Sequence, residues 1–208
     1  MKTIKELMQW RFACQHFDAE KKISEDLLKD LLDTARLAPN SFGIQAWKFI
    51  VVTDMELRKK LMPACYNQPQ VMEASALVFF CARTDLTGEN GVIARHVKLS
   101  HDVQGRSDAQ SAGFSKMLND VANSKSPEEL KTWLQKQVYI PVEALILAAA
   151  EKEIDSCPME GFSPAEVAKV LELPEYIHPT VLVSLGYRNM EQPKKVRFPL
   201  EEVVEFRN

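Results

Sequence analysis

The chain has 208 residues, 46% of them hydrophobic and 26% charged, a globular composition that excludes a disordered segment or a membrane-embedded bundle. Its net charge of −3 argues against a dedicated nucleic-acid binder, which needs a basic face to neutralise phosphates. Only seven glycines occur, and neither GxGxxG nor GxxxxGK[ST] can be built from their positions, so a bound phosphate would need cationic side chains or helix N-termini.

In chain order, Ile4, Leu7 and Met8 mark one face of a short first helix. Ser24 caps a second, with Glu25 and Asp26 in its first turn and an apolar stripe of Leu27, Leu28, Leu31, Leu32, Ala35 and Ala38; Pro39 ends it. Trp47–Thr53 reads as a strand, Asp54 caps the next helix, and Ala76–Ala82 reads as a second strand. Residues 84–125 are polar and read as a loop followed by a helix around 108–122. Ser126-Pro127-Glu128-Glu129 combines an N-cap serine, proline at the first helical position and glutamate to close a capping box. That helix should run to about Glu151, kinked by Pro141 near Gln137, with an apolar second half that marks it as central. Ser163-Pro164-Ala165-Glu166 repeats the capping signature, Thr180–Gly186 is a third strand, and Glu201–Phe206 has a weak strand pattern.

Three strands are continuous apolar runs, which implies cover on both faces and a three-layer α/β/α arrangement. No linker, repeat or low-complexity segment divides the chain, so residues 1–208 read as one domain. Cys14, Cys65, Cys81 and Cys157 form no CxxC pair and read as free thiols of a reducing compartment. The N-terminus lacks a signal-peptide pattern, and the longest apolar stretch is too short to span a bilayer; a cytoplasmic protein with no membrane or nucleic-acid partner is expected.

Hydrolytic and metal chemistry find no support. His96 and His101 are five apart and read as solvated surface, no HExxH or GxSxG occurs, and no metal site is expected. Three segments carry more information: Arg11–Asp18 (RFACQHFD), Pro158–Phe162 (PMEGF) and Pro193–Pro199 (PKKVRFP). Singly, each has a plain reading as a surface arginine, a turn and a solvated loop. In order, and joined by Ala38–Trp47 (APNSFGIQAW), Asn67–Gln70 (NQPQ) and Lys136–Tyr139 (KQVY), they resemble the FMN-dependent nitroreductase family, of the oxygen-insensitive NAD(P)H nitroreductase type, over nearly the whole chain. The matches are to R-x-S-x-[RK]-x-F at Arg11 and Phe17, to A-P-S-S-x-N-x-Q-P-W at Ala38, Pro39, Ser41, Gln45 and Trp47, to D-x-x-P-x-E-G-F at Asp155–Phe162, and to K-x-R-x-P at Lys195, Arg197 and Pro199.

The resemblance implies an α+β three-layer fold with a central, mostly antiparallel sheet, in a domain-entwined homodimer with FMN at the interface. It implies that Arg11, Lys195 and Arg197 hold the phosphate, in the arginine-and-lysine manner the missing glycine loops require. Phe12 and Ala13 flank Arg11 in that segment. Gln15, Asn67 and Gln70 would read the polar edge of the isoalloxazine. Pro158, Met159, Glu160 and Gly161 would back its inner face, with the Glu160 N–H directed to N5. Pro39, Asn40 and Ser41 would reach the flavin of the other subunit. The implied activity is NAD(P)H-dependent reduction of a small aromatic acceptor, nitroaromatic or quinone, with ping-pong kinetics and no catalytic side chain. The chain departs from the family at Ala13, where a serine is usual, at Gln15 and Gln70, where cations are usual, and at Gly43 and Ala46. The lost cations leave room for a flavin-binding or regulatory protein without nicotinamide turnover. Dehalogenation and flavin breakdown have no motif.

Overall fold

The computed structural model describes residues 2–207. In chain order it contains α1 (Ile4–Trp10), α2 (Glu25–Arg36), β1 (Trp47–Val52), α3 (Met55–Leu61), α4 (Gln70–Glu73), β2 (Ala76–Arg83), α5 (Val92–Gln104), α6 (Asp108–Asn123), α7 (Pro127–Glu151), β3 (Asp155–Met159), α8 (Pro164–Val170), β4 (Ile177–Gly186) and α9 (Leu200–Val203), with single 3-10 turns at Ser41–Gly43 and Pro63–Cys65. The sheet is antiparallel throughout, in the order β1-β2-β4-β3.

The apolar strands sort their side chains with period two. Ala76, Val78, Phe80 and Ala82 of β2 join Val181, Val183 and Leu185 of β4 in one core, against α2, α6 and α7. Leu77, Phe79 and Cys81 join Leu182 of β4 in a second core on the other face, with Leu61 of α3 and Val167 of α8. This is the expected three-layer arrangement. Ser24, Asp54 and Ser163 each accept a backbone N–H, and Ser126 forms a complete capping box with Glu129; at Ser163 the box stays half-formed, because its N–H donates to the Ala64 carbonyl instead of to Glu166. Helix α7 continues through Pro141 to Glu151 and lies against β2, β3 and β4.

Several expectations need correction. β3 has no counterpart in the sequence reading, because Pro158 and the polar pair Asp155-Ser156 disguise it. The sheet order makes β3 an edge strand, where a missing N–H is tolerated. β4 begins earlier than Thr180, and its register against β2 shifts where Phe80 faces Val181 but Cys81 faces Pro179, so Thr180 is passed over. The segment read as a loop before 108 contains α5, which starts at Gly91 and is stopped by Gly105 in the left-handed conformation (φ 65°). His96 and His101 therefore lie on one helix, and both are partly buried rather than fully solvated. His96 is half-buried against Phe114, and His101 Nδ1 lies 3.2 Å from Ser111 Oγ. The expected C-terminal strand is instead the short α9 and an extended end with no strand partner among the described residues. All four cysteines are free and buried. No helix among the described residues is long and apolar enough to cross a membrane.

Candidate active site

The Arg11–Gln15 segment leaves α1 in extended conformation and lies along the free edge of β3. Ala13 bridges Ser156 in parallel fashion, and the Cys14 N–H donates to the Ser156 carbonyl at 3.1 Å. Phe12 is buried in the second core, so only its backbone faces outward. Arg188 is stacked over Trp10 and Phe12, at 4.3 and 4.8 Å from the ring centres, and is neutralised by the buried Asp155 at 2.6 Å. The Asp155–Arg188 pair fixes the start of β3 beneath the Arg11 segment. It was not foreseen, although Asp155 opens the DxxPxEGF motif.

Arg11 has no such compensation. Its Nε and Nη2 are buried and have no hydrogen-bond partner among the described residues. Lys195 reaches back from the C-terminal segment, and its Nζ donates to the Arg11 carbonyl at 2.6 Å. Burial, then the positive charges of Arg11 and Arg197, hold the Lys195 ammonium below its ordinary pKa. Arg197 donates to the Val196 carbonyl at 2.6 Å. None of the three cations pairs with a carboxylate among the described residues. Three cations close together, with two buried guanidinium N–H groups left over, suit an anion with several oxygens.

A second group surrounds the turn after β3. Gln68 Nε2 donates to the Gly161 carbonyl at 2.5 Å and to the Cys65 carbonyl at 3.1 Å, and the Ser163 N–H donates to the Ala64 carbonyl at 2.8 Å. These bonds tie the 63–70 segment to the 158–163 turn. A Cβ at Gly161 would stand 3.1 Å from Gln68 Nε2, so glycine permits that approach. Asn67 adopts the left-handed region (φ 55°) and is exposed. Gln70 is buried; its Nε2 faces Cys157 Sγ at 3.9 Å and its Oε1 has no partner. Met159 is buried, whereas Glu160 is exposed and its side chain accepts a hydrogen bond from the Tyr139 hydroxyl of α7. Among the described residues the Glu160 N–H makes no hydrogen bond. A cavity of about 460 Å³ opens here, lined by Tyr139, Val142, Pro158, Met159, Glu160 and Val181.

The expected residues thus fall into four places. Arg11, Lys195 and Arg197 converge at the β3 edge. Gln70 and Pro158–Gly161 meet around the turn after β3, with Asn67 on the segment tied to it. Gln15 is exposed beside Met190, whose Sδ accepts its N–H at 3.4 Å. Pro39–Ser41 stand apart, against α7, where the Ser41 N–H donates to Gln137 Oε1 at 2.9 Å and Asn40 Oδ1 accepts the Gln45 N–H at 2.8 Å. Gln68 and Arg188 were missed as organisers. The candidate cofactor fits what is present: unpaired cations for a phosphate, an unpartnered amide oxygen on Gln70, and a free backbone N–H at Glu160.

The fold is a three-layer α/β/α scaffold that carries these motifs along the β3 edge and the turn after it. The sequence pattern of the Nitroreductase family matches residues 8–187, and the chain belongs to that family. It is similar to proteins provisionally named NAD(P)H nitroreductases: one from Staphylococcus haemolyticus at 33% identity over 98% of this chain and 97% of the relative, and one from Bacillus subtilis at 34% over 95% and 94%. Among solved structures, a provisionally assigned NAD(P)H:FMN oxidoreductase from Staphylococcus epidermidis superposes with a TM-score of 0.91 at 20% identity, over 99% of this chain and 96% of that one. A provisionally assigned nitroreductase from Exiguobacterium sibiricum, solved in complex with FMN, gives 0.86 at 21%, over 100% and 98%.

Proposed function

We propose that this chain is an FMN-dependent NAD(P)H oxidoreductase, working as a homodimer, that reduces nitroaromatic or quinone-type acceptors. One observation carries the reading furthest: the uncompensated cluster of Arg11, Lys195 and Arg197, with two buried Arg11 N–H groups unpartnered. A chain that keeps three cations close together without a carboxylate suits a polyanionic oxygen group. Relatives named for NAD(P)H and a similar fold solved with FMN support the same choice.

Bound FMN would supply hydride transfer from a nicotinamide to the acceptor. The residues have separate tasks. Arg11, Lys195 and Arg197 would hold the phosphate, with the Ala13 backbone beside them. Gln15, Asn67 and Gln70 would hydrogen-bond the polar edge of the ring. Pro158 to Gly161 would back the ring and offer it the Glu160 N–H. No side chain need act as acid, base or nucleophile, so the protein contributes orientation and a fixed polar environment.

Homodimerisation rests on exposed apolar surface. Val196 and Phe206 are each 83% exposed and Phe198 75%, on a C-terminal arm that lies outside both cores. Obligate interfaces bury roughly 2,000–5,000 Å² or more and would cover such an arm. Pro39, Asn40 and Ser41, which meet neither half of the site in their own chain, would then reach the flavin of the other subunit. The test is the colour of the purified protein and anaerobic titration with NADH and with NADPH. A yellow protein bleached by nicotinamide, and recoloured by a quinone or nitroaromatic, is expected. A colourless protein that takes up no FMN refutes the reading; a yellow protein that neither nucleotide bleaches identifies a flavin binder without turnover.

A further inference from the structure

The turn after β3 is held on three sides. Met159 pairs with Leu182 on the sheet side, and Gln68 and Ala64 hold Gly161 and Ser163 on the far side. The third tie is the Tyr139 hydroxyl, which donates to the Glu160 carboxylate across the mouth of the 460 Å³ cavity. Both partners keep substantial exposure, so core packing does not require this contact. The residue it immobilises is the one whose backbone N–H is free.

We propose that Tyr139 is a positioning residue: its hydroxyl clamps the Glu160 side chain, and through it orients the peptide plane that presents the Glu160 N–H to the flavin. The inference rests on the FMN reading above and adds a residue to it. Burial, then the neighbouring Glu160 carboxylate, push the Tyr139 phenol up to about 12, so it remains a hydrogen-bond donor throughout the neutral range and has little tendency to release its proton. Its role is therefore to hold rather than to protonate. A donor N–H distinguishes the two states of its target. The oxidised ring offers a lone pair at N5, whereas the reduced ring carries hydrogen there, so a misplaced N–H weakens binding of oxidised FMN selectively.

The experiment titrates oxidised and two-electron-reduced FMN into flavin-free wild type and Tyr139→Phe. Tyr139→Phe should bind oxidised FMN about tenfold more weakly and reduced FMN as before, a change in ratio that equals about 30 mV of higher two-electron potential. Equal weakening of both forms would show a merely structural role, and no change would show that the clamp does nothing; either overturns the proposal. A second comparison leaves α7 untouched. Glu160→Ala and Glu160→Gln both remove the charge, but only the glutamine keeps an acceptor for the phenol. The alanine should shift the ratio further than the glutamine, and identical ratios overturn the clamp even where Tyr139→Phe fails to fold. Failure of the FMN reading itself is seen separately, as wild type that binds neither form.

Discussion

Replacing Arg11 with methionine should weaken FMN binding and, at the same time, stabilise the flavin-free protein. The two effects have one cause. Arg11 Nε and Nη2 are buried with no partner, while Lys195 and Arg197 add like charge nearby. A buried donor left unsatisfied costs about 1–3 kcal/mol. Arg11 is half-buried and keeps part of its hydration, so the lower end, about 1 kcal/mol, is the appropriate estimate. Methionine keeps the length of the apolar stem and removes that cost. For a chain of this size, 1 kcal/mol corresponds to a rise of roughly 2–4 °C in melting temperature. In the bound state the sign reverses, because a charge-assisted hydrogen bond is worth about 1.5–3 kcal/mol, or roughly 10–150-fold in Kd. The assays are flavin fluorescence quenching for Kd and calorimetric melting of the apo chain. Unchanged FMN affinity would refute the assignment of the phosphate site. Weaker affinity with a lowered apo melting temperature would show that Arg11 is held by something other than the ligand.

The C-terminal arm should be required for assembly: light scattering should give a dimer for the full chain and a monomer after removal of residues 195–208, and a monomeric full chain with flavin bound would contradict the entwined assembly. Gln15→Lys should raise the two-electron potential of bound FMN by on the order of 30–60 mV, since a cation near the ring's N1 edge stabilises the reduced anion; an unchanged or lowered potential in a redox titration would remove Gln15 from that edge. Stability should fall as pH rises above about 9. Burial pushes the Cys14 and Cys81 thiols up to about 12 and Cys65 to about 11, so above pH 9 the unfolded chain sheds protons that the folded chain retains. Each thiol then contributes a loss of up to about 1.4 kcal/mol per pH unit until its folded pKa is reached, and urea midpoints that stay constant from pH 8.5 to 10.5 would contradict this.

What was legible in the sequence was local. Ser24, Asp54, Ser126 and Ser163 signal helix starts because an N-cap needs only its own next three residues, and β2 announces itself because seven consecutive positions, Ala76–Ala82, are apolar. α5 was hidden because its buried set includes Ser100 and its cap is Gly91 without a side-chain hydrogen bond, whereas α6, expected around 108–122, starts from a Ser107–Gln110 capping box. β3 was hidden because its polarity serves the site: Asp155 neutralises Arg188, and Pro158 sits on an edge. The ties that assemble the candidate site join residues far apart in the chain, such as Gln68 to Gly161 and Lys195 to Arg11, and no local pattern encodes them. Motif order over the whole chain located those residues, whereas their partners had to be seen.

Helix α7 explains how the two kinds of site residue stay in register. Gln137 accepts the Ser41 N–H and Tyr139 donates to Glu160, so two neighbouring positions hold two different pieces of the site. At about 100° per residue they project roughly 200° apart, onto opposite sides of the helix. The 39–41 segment and the 158–161 turn are therefore fixed to one rod from opposite sides. In the proposed homodimer each would serve a different flavin. The apolar character of α7, with Leu134, Val138, Val142, Leu145 and Ile146 all in the first core, supplies the rigidity such a shared support requires. A loosened α7 should accordingly disturb both pieces at once, whereas changes at Arg11 or Lys195 should be confined to the phosphate end.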